Sequence, residues 1–551
     1  MVGSPVMTPE KPAPGLSVAI IGAGLGGICL GLALKRRGFH DFWIYEKDED
    51  AGGTWYQNRY PGCRSDVKAV LYSHSRHPKR DWSETHPPRQ EILAYWQDLV
   101  DSQGLRPHIR CSHTYLDATW DPKSNLYSIQ FSTHNRKIIV EANVLVSAIG
   151  VFTAPKLPRI PGLEMFPPDK AIHVARWPEG LEKEQLKGKT VAVIGNGCSG
   201  SQLVASLAEE PDIQVIALSR SPQWVIANPG NKPQLSKPYS KMKQRLFHLP
   251  LAQQVTRLGT YLSMEVDWVI YPKKAEWIRR PHQKDFGKWM KDNAPAALED
   301  VIVPSFPLGG KRIVRDGGYM AALNQTNVKA IWDDIDHITP SGLITRGNHV
   351  LDVDYLLFAT GFDTKHVLAV IGRDGHEIEE GGRAKVKQYH GVATPGFPNF
   401  FTLLSNNVSL LHLGLLFPLE VQAEYVAITV AAMARHHVPV LEVRESTNEK
   451  YNARVDYYSQ KHVWTETTSY YSDSSTRHNY GLWPLPAFAL WADNLFPHFG
   501  DYVGGDALAG KYPVQEMKAR FWEGVSRGAC RSIFGAIAAG QKVGRIWDKT
   551  L

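Results

Sequence analysis

Two glycine fingerprints with the same phase dominate the chemistry this chain could support. VAIIGAGLGG (18–27) and VAVIGNGCSG (191–200) each run from an apolar β-like stretch through G-x-G-x-x-G into a helical pattern. Gly22, Gly24 and Gly27 form the first set; Gly195, Gly197 and Gly200 form the second. Glycine is required there because the backbone turns tightly, approaches a pyrophosphate closely and packs a helix onto a strand. Two matches 173 residues apart predict two dinucleotides on one protein.

The residues beyond each fingerprint separate the two ligands. In the first unit the next β-like run, FWIYEK, delivers Glu46, 19 residues past Gly27. A carboxylate at that spacing accepts hydrogen bonds from a ribose diol. The equivalent position of the second unit is Ser219, followed by Arg220 and Ser221. A carboxylate would repel a 2′-phosphate, whereas an arginine fork binds it. The first site therefore suits FAD or NAD and the second NADP(H).

Two loop segments add further chemistry. GGTWYQNRYPGCRSD (52–66) mixes aromatics, two arginines, three glycines and one aspartate. Such a segment can wrap a flat, charged ligand with main-chain amides and aromatic edges. SFPLGGKRIVRDGGY (305–319) sets the adjacent cations Lys311 and Arg312 beside a Gly-Gly turn.

The elements that must position these residues read as α/β: two Rossmann-like dinucleotide-binding domains with a helical insertion in the second. At 551 residues, two or three domains are expected. Residues 1–15, with four prolines and no apolar run, read as a flexible tail. Residues 16–150 read as the first part of the first dinucleotide-binding domain, for FAD or NAD, with a helix over 87–105 and β-like runs near 113–119, 126–132 and 136–146. VLVSAIG (144–150) ends in small residues, as a strand meeting a cofactor does, and proline-rich 152–162 reads as a crossover. Residues 151–230 begin the NADP-binding domain, 231–304 form the helical insertion, and 305–365 complete the domain with a closing run at 349–364. Residues 366–551 are expected to return to the first domain, the FAD-binding domain and substrate pocket of the family resemblance given below.

Composition narrows the function. Hydrophobic residues at 43% and charged residues at 21% are those of a globular protein. The net charge of +7 is spread along the chain without a basic block, which argues against nucleic-acid binding. Cysteines 29, 63, 111, 198 and 530 make no C-x-x-C pair and no metal-ligand cluster, disfavouring a disulfide reductase and a structural zinc. Cys29 and Cys198, in the fingerprint helices, read as small packing residues. No secretory signal is visible, so the cytoplasm is expected. SLLHLGLLFPLE (409–420), the most apolar later stretch, is too short and interrupted to span a bilayer.

These motifs resemble the type I Baeyer–Villiger monooxygenases, within the class B flavoprotein monooxygenases. Residues 52–66 are similar to that family's G-G-T-W-x-x-N-R-Y-P-G-x-R-x-D segment, and ATGFD (359–363) is similar to a motif of the wider group. The signature F-x-G-x-x-x-H-x-x-x-W-P is matched by His173, Trp177 and Pro178. Phe166, however, stands one place early, and Asp169 replaces the glycine. VWTETTSYYSDSSTRHNYGLWP (463–484) is similar to the W…SWY…WP pattern of 4-hydroxyacetophenone-type members.

The resemblance implies that NADPH reduces FAD and that O2 then forms a C4a-peroxyflavin. This attacks a ketone to give an ester or lactone while NADP+ stays bound. It places Arg312 as the catalytic cation, which cannot lose its proton, and Asp66 as its orienting partner. It places Gly22, Gly24, Gly27, Glu46, Gly53, Thr54, Trp55, Asp66 and Tyr72 around FAD. Gly195, Gly197, Ser199, Gly200, Gln202, Arg220, Ser221, Lys311 and Arg312 are placed around NADP(H), with His173, Trp177 and Pro178 at the domain junction. No metal is implied. Two alternatives stand beside this reading: an N- or S-oxygenating flavin monooxygenase and a non-catalytic nucleotide-binding flavoprotein. The motifs fix neither the ketone nor an oligomeric state.

Overall fold

The computed structural model describes residues 15–227, 235–249, 251–378, 382–473 and 475–550. The expected tail at 1–15 lies, apart from Gly15, outside the described residues. The first sheet is built from β1 (Val18–Ile21), β2 (Phe42–Tyr45), β3 (Ile109–Arg110), β7 (Val144–Ser147) and β19 (Phe400–Thr402). It is parallel, with strand order β19-β7-β1-β2-β3. β1 and β7 are buried along their whole length, which is why they read as continuous apolar runs.

Gly22 ends β1 at φ +107°, and a Cβ there would lie 2.7 Å from the Ala148 carbonyl oxygen. Helix α1 (Leu25–Arg36) then leaves so close to the strand that a Cβ on Gly27 would lie 2.0 Å from the Gly22 oxygen. Lys35 and Arg36 in its last turn complement the helix dipole.

The second unit repeats this geometry. Its strands are β8 (Ala171–His173), β9 (Thr190–Ile194), β10 (Gln214–Ser219), β13 (Val328–Trp332) and β17 (Tyr355–Phe358). They form a parallel sheet of order β13-β10-β9-β17-β8. Gly195 has φ +112°, and its Cβ would meet the Ala359 oxygen at 2.6 Å. Helix α4 (Cys198–Ala208) follows, and a Cβ on Gly200 would lie 1.9 Å from the Gly195 oxygen. In each unit the fingerprint thus packs on an alanine carbonyl just beyond the closing strand, β7 or β17.

Smaller elements complete the frame. An antiparallel meander of β4 (Thr114–Asp121), β5 (Leu126–Thr133) and β6 (Arg136–Ala142) is extended by β18 (Val370–Ile371). A second antiparallel sheet comprises β14 (Ile335–Thr339), β15 (Gly342–Thr345) and β16 (Val350–Asp352). The loop over the first cofactor cleft carries α2 (Thr54–Gln57), and α3 (Arg89–Ser102) comes after it.

The two-stranded ribbon of β11 (Val225–Ile226) and β12 (Val314–Arg315) brackets a helical stretch. It holds α5 (Lys241–Phe247), α6 (Ala252–Glu265) and α7 (Glu276–Asp292), while α8 (Tyr319–Ala322) packs on α4 beyond it. After residue 366 the chain returns to the first unit through β18, β19 and α9 (Leu416–Arg435). The apolar stretch read as ending at 420 continues in α9, which is long and apolar enough to cross a membrane. Most of α9 is buried in the protein against α1, with Leu419 beside Gly26.

Gly200→Ala should cost about 1–3 kcal/mol, because its Cβ meets main chain that cannot give way. Gly197→Ala, whose Cβ enters open space at an ordinary φ of −72°, should leave stability unchanged. Urea midpoints of the two variants check this contrast.

Candidate active site

A cavity of about 400 Å³ lies along the first fingerprint. Gly22, Gly24, Glu46, Gly53, Thr54, Trp55 and Tyr72 line it, and Ala148–Gly150 and residues 366–369 close it. Gly24 and Gly53 approach so closely that a Cβ on Gly53 would lie 2.7 Å from the Gly24 Cα. Glu46 accepts from the Ala23 N–H at 2.7 Å and the Asp48 N–H at 3.0 Å. Burial still pushes its carboxyl above the usual range. Each oxygen keeps a lone pair for a ribose hydroxyl.

A second cavity of about 270 Å³ lies between the units. Thr54, Trp55, Tyr72, Phe152 and Leu415 line both, so the two spaces adjoin along this wall. Trp55 and Tyr72 meet edge to face at 5.3 Å. Asp66 and Arg312 line the second cavity, together with Gly197, Ser199 and Gln202 from the second fingerprint.

Arg312 Nη2 donates to Asp66 Oδ2 at 2.6 Å, and about a fifth of each side chain is exposed. Asp66 holds the guanidinium well above its ordinary pKa against the opposing effect of burial. Burial works to raise Asp66, but the Arg312 charge and hydrogen bond outweigh it and the carboxyl falls below the usual range. The result is a fixed cation oriented by a carboxylate, the arrangement needed to stabilise an oxyanion. Asp66, placed around FAD by sequence reasoning, lines the second cavity and is not among the residues lining the first.

Other expected residues fall into distinct places. Gly27, Gly195 and Gly200 act in helix–strand packing rather than on a cavity wall. Gln202 lines the second cavity, but its amide is engaged at both ends: Tyr60 OH donates to Oε1 at 2.9 Å and Nε2 donates to the Arg64 carbonyl at 3.1 Å. Arg220 is exposed; burial and the Arg220 charge lower the Lys311 pKa, which places the two cations together. Lys311 Nζ also sits 4.6 Å from the Phe306 ring centroid. Ser221 is fixed by Asn196 Nδ2, which donates to its carbonyl at 2.9 Å. These three lie off the second cavity's wall.

His173 ends β8. Its Nδ1 accepts from Ala175 N–H at 3.1 Å, so Nε2 carries the proton and donates to the Gly361 carbonyl at 2.9 Å. Burial lowers its pKa and keeps it neutral. Trp177 Nε1 donates to the Leu181 carbonyl at 2.7 Å, just beyond Pro178. Asp169 sits exposed in a turn and lacks a positive φ, so this backbone makes no demand for glycine there.

Sequence reasoning missed three contributors. Tyr470 and Tyr471 line the second cavity and are joined OH to OH at 2.7 Å. Cys198 is a cavity residue rather than simple packing: its Sγ lies 3.9 Å from Asp66 Oδ2. Burial, reinforced by Asp66, pushes that thiol up to about 11.

Residues 19–261 match the family model described as pyridine nucleotide-disulphide oxidoreductase, although all five cysteines are free. A Baeyer-Villiger monooxygenase of Pseudomonas aeruginosa is 30% identical over 85% of this chain and 87% of its own length. The chain belongs to the Baeyer–Villiger monooxygenase family. Another Baeyer-Villiger monooxygenase, from Streptomyces coelicolor, is 31% identical over 85% of this chain and 88% of that protein. Among solved structures, OTEMO in complex with FAD and NADP superposes with a TM-score of 0.75. It is 22% identical and covers 87% of this chain and 96% of its own. That likeness bears out the paired Rossmann-type α/β architecture.

Asp66→Asn keeps the size of the side chain and removes its charge. The folded pKa of Asp66 lies below its unfolded value of about 4, so its stabilisation is complete above that value. It is lost as pH falls through the lower, folded value. The variant should be about 1–3 kcal/mol less stable at neutral pH and lose less of its stability on acidification. Urea unfolding at neutral and acid pH measures both.

Proposed function

We propose that this Baeyer–Villiger family member is an NADPH- and O2-dependent monooxygenase. It inserts one oxygen atom beside a ketone carbonyl to give an ester or lactone. The observation that carries this reading is the Arg312–Asp66 pair, set on a cavity that shares a wall with the fingerprint cleft.

The first cavity fits FAD. Its glycine contact leaves the backbone bare, Glu46 on its wall would accept from a ribose diol, and its volume is that of a cofactor site. Gly22, Gly24, Gly53, Thr54, Trp55 and Tyr72 would hold it. Gly197 and Ser199 at the second cavity, with Arg220, Ser221 and Lys311 beyond it, would hold NADPH. When bound, the flavin supplies the electron transfer and O2 activation that no side chain here can provide.

The chain's own residues do the rest. Arg312 keeps a proton it cannot give up and stabilises negative charge as it grows on the ketone oxygen. Asp66 holds the guanidinium in place and balances its charge. Trp55, Phe362, Tyr470 and Tyr471 give the cavity an aromatic wall suited to an apolar carbonyl compound. His173, neutral and bonded to Gly361, fixes the turn after β17 rather than moving a proton. Five free cysteines support a reducing compartment, the cytoplasm.

Offering ketones and thioethers separately, with product analysis, tests the reaction class: esters or lactones are expected, and sulfoxides alone would overturn it. Arg312→Ala should continue to oxidise NADPH while ester formation falls about 100-fold or more. Arg220→Ala should raise the KM for NADPH about tenfold and leave that for NADH unchanged, which steady-state kinetics with both coenzymes would read.

A further inference from the structure

The helical stretch between β11 and β12 carries an exposed apolar stripe. On α6, Val255, Leu258 and Leu262 recur at helical spacing with Leu251 before and Val266 after, and all five are exposed, between 59% and 68%. The polar side of the same helix faces inward. Gln253 is buried and its Nε2 donates to the Lys79 carbonyl; Arg257 donates to the Val70 and Ser73 carbonyls and pairs with Glu420 at 3.4 Å. Tyr261 and Met264 pack inward on the cluster of Val67, Val70, Leu71 and Phe247, so the helix is anchored by hydrogen bonds and apolar contacts while a further apolar stripe faces outward. Beside it, α5 and the turn after it expose Met242, at 80%, with Leu246 and Leu249.

The charge around this face is mainly positive. From residue 235 to 264 the sequence contains no Asp or Glu, while Lys237, Lys241 and Arg245 are exposed and Lys243 is half-buried. The neighbouring carboxylates are paired: Asp81 with Lys79 at 2.7 Å, Glu84 with Arg64 at 3.5 Å and, at the end of the stripe, Glu265 with His412 at 2.9 Å and the exposed Asp267 with Arg315 at 3.9 Å. An apolar stripe edged by lysine and arginine matches a surface whose headgroups are anionic and whose interior is apolar. A second copy of the chain fits worse, since a two-fold contact would face these cations with one another.

We propose that α5 and α6 form a docking face for an anionic phospholipid membrane, on which the protein lies without spanning it. The stripe from Leu251 to Val266 extends about 22 Å, long enough to rest in the interfacial layer. Met264, on the same helix, lines a third cavity that also contains Asp66 and Arg312. The docked face is therefore adjacent to the active-site region. Membrane binding itself does not depend on the proposed oxygenation of a ketone.

Co-sedimentation of the full chain with phosphatidylcholine vesicles, with and without phosphatidylglycerol, tests the proposal. The protein should pellet with the anionic vesicles and be released by high salt. Leu258→Glu combined with Leu262→Glu should abolish pelleting. Lys241→Glu with Lys243→Glu should weaken it about tenfold. Both double variants should retain wild-type NADPH oxidation in solution, which also verifies that they are folded. Failure of the wild-type protein to pellet, or equal pelleting with both vesicle types, would overturn the proposal. So would a dimer in solution that the Leu258→Glu, Leu262→Glu variant converts to monomer, which would assign the face to a second copy.

Discussion

A single ion pair sets the terms for the rest of this structure. Asp66 comes from the loop after the first fingerprint and Arg312 from the segment beyond the helical stretch of the second unit, 246 positions later. Neither charge is comfortable alone in a largely enclosed cavity, and removing one partner would leave the other desolvated. The pair therefore requires the two units to meet at one place. There they create a cavity lined by a fixed positive charge and by aromatic side chains.

Each unit then repeats one solution for bringing backbone close to a dinucleotide. A left-handed glycine after the first strand, a helix leaving almost in contact with it, and an alanine carbonyl beyond the closing strand recur at Gly22, Gly27 and Ala148, then at Gly195, Gly200 and Ala359. The repeat fixes where two cofactor cradles lie, and the loop carrying Thr54 and Trp55 supplies the partition between them.

Much of this is legible in the sequence because its signals are local. A fingerprint is dictated by contacts within about ten residues, and Glu46 stands at the distance set by one helix and one strand. The placement of Asp66 near Arg312 comes from motif resemblance, since nothing in spacing alone brings residues so far apart together. The features that escape such reading depend on long-range packing. Tyr470 and Tyr471 reach the cavity from a stretch without regular secondary structure, and their signals are the aromatic richness of 463–484 and its likeness to the W…SWY…WP pattern. Cys198 reads as packing because its helix is amphipathic, yet the first turn of that helix faces the other unit. The apolar run of α9 is interrupted by Glu420 and Glu424; in the fold, the Ser75 N–H and Arg257 satisfy the first and Arg36 and Arg37 the second.

The contacts around Gln202 carry a mechanical consequence. Tyr60 and Arg64 of one unit grip its amide from two sides, while Gly62 sits so near that an added methyl would strike the Gln202 carbonyl and the Ser206 side chain. Two neutral hydrogen bonds of about 1 kcal/mol each make a clasp that thermal motion can undo. Together with the Asp66–Arg312 pair they fasten the two units along this seam, and the bare glycine lets the two main chains lie close enough for both hydrogen bonds to form.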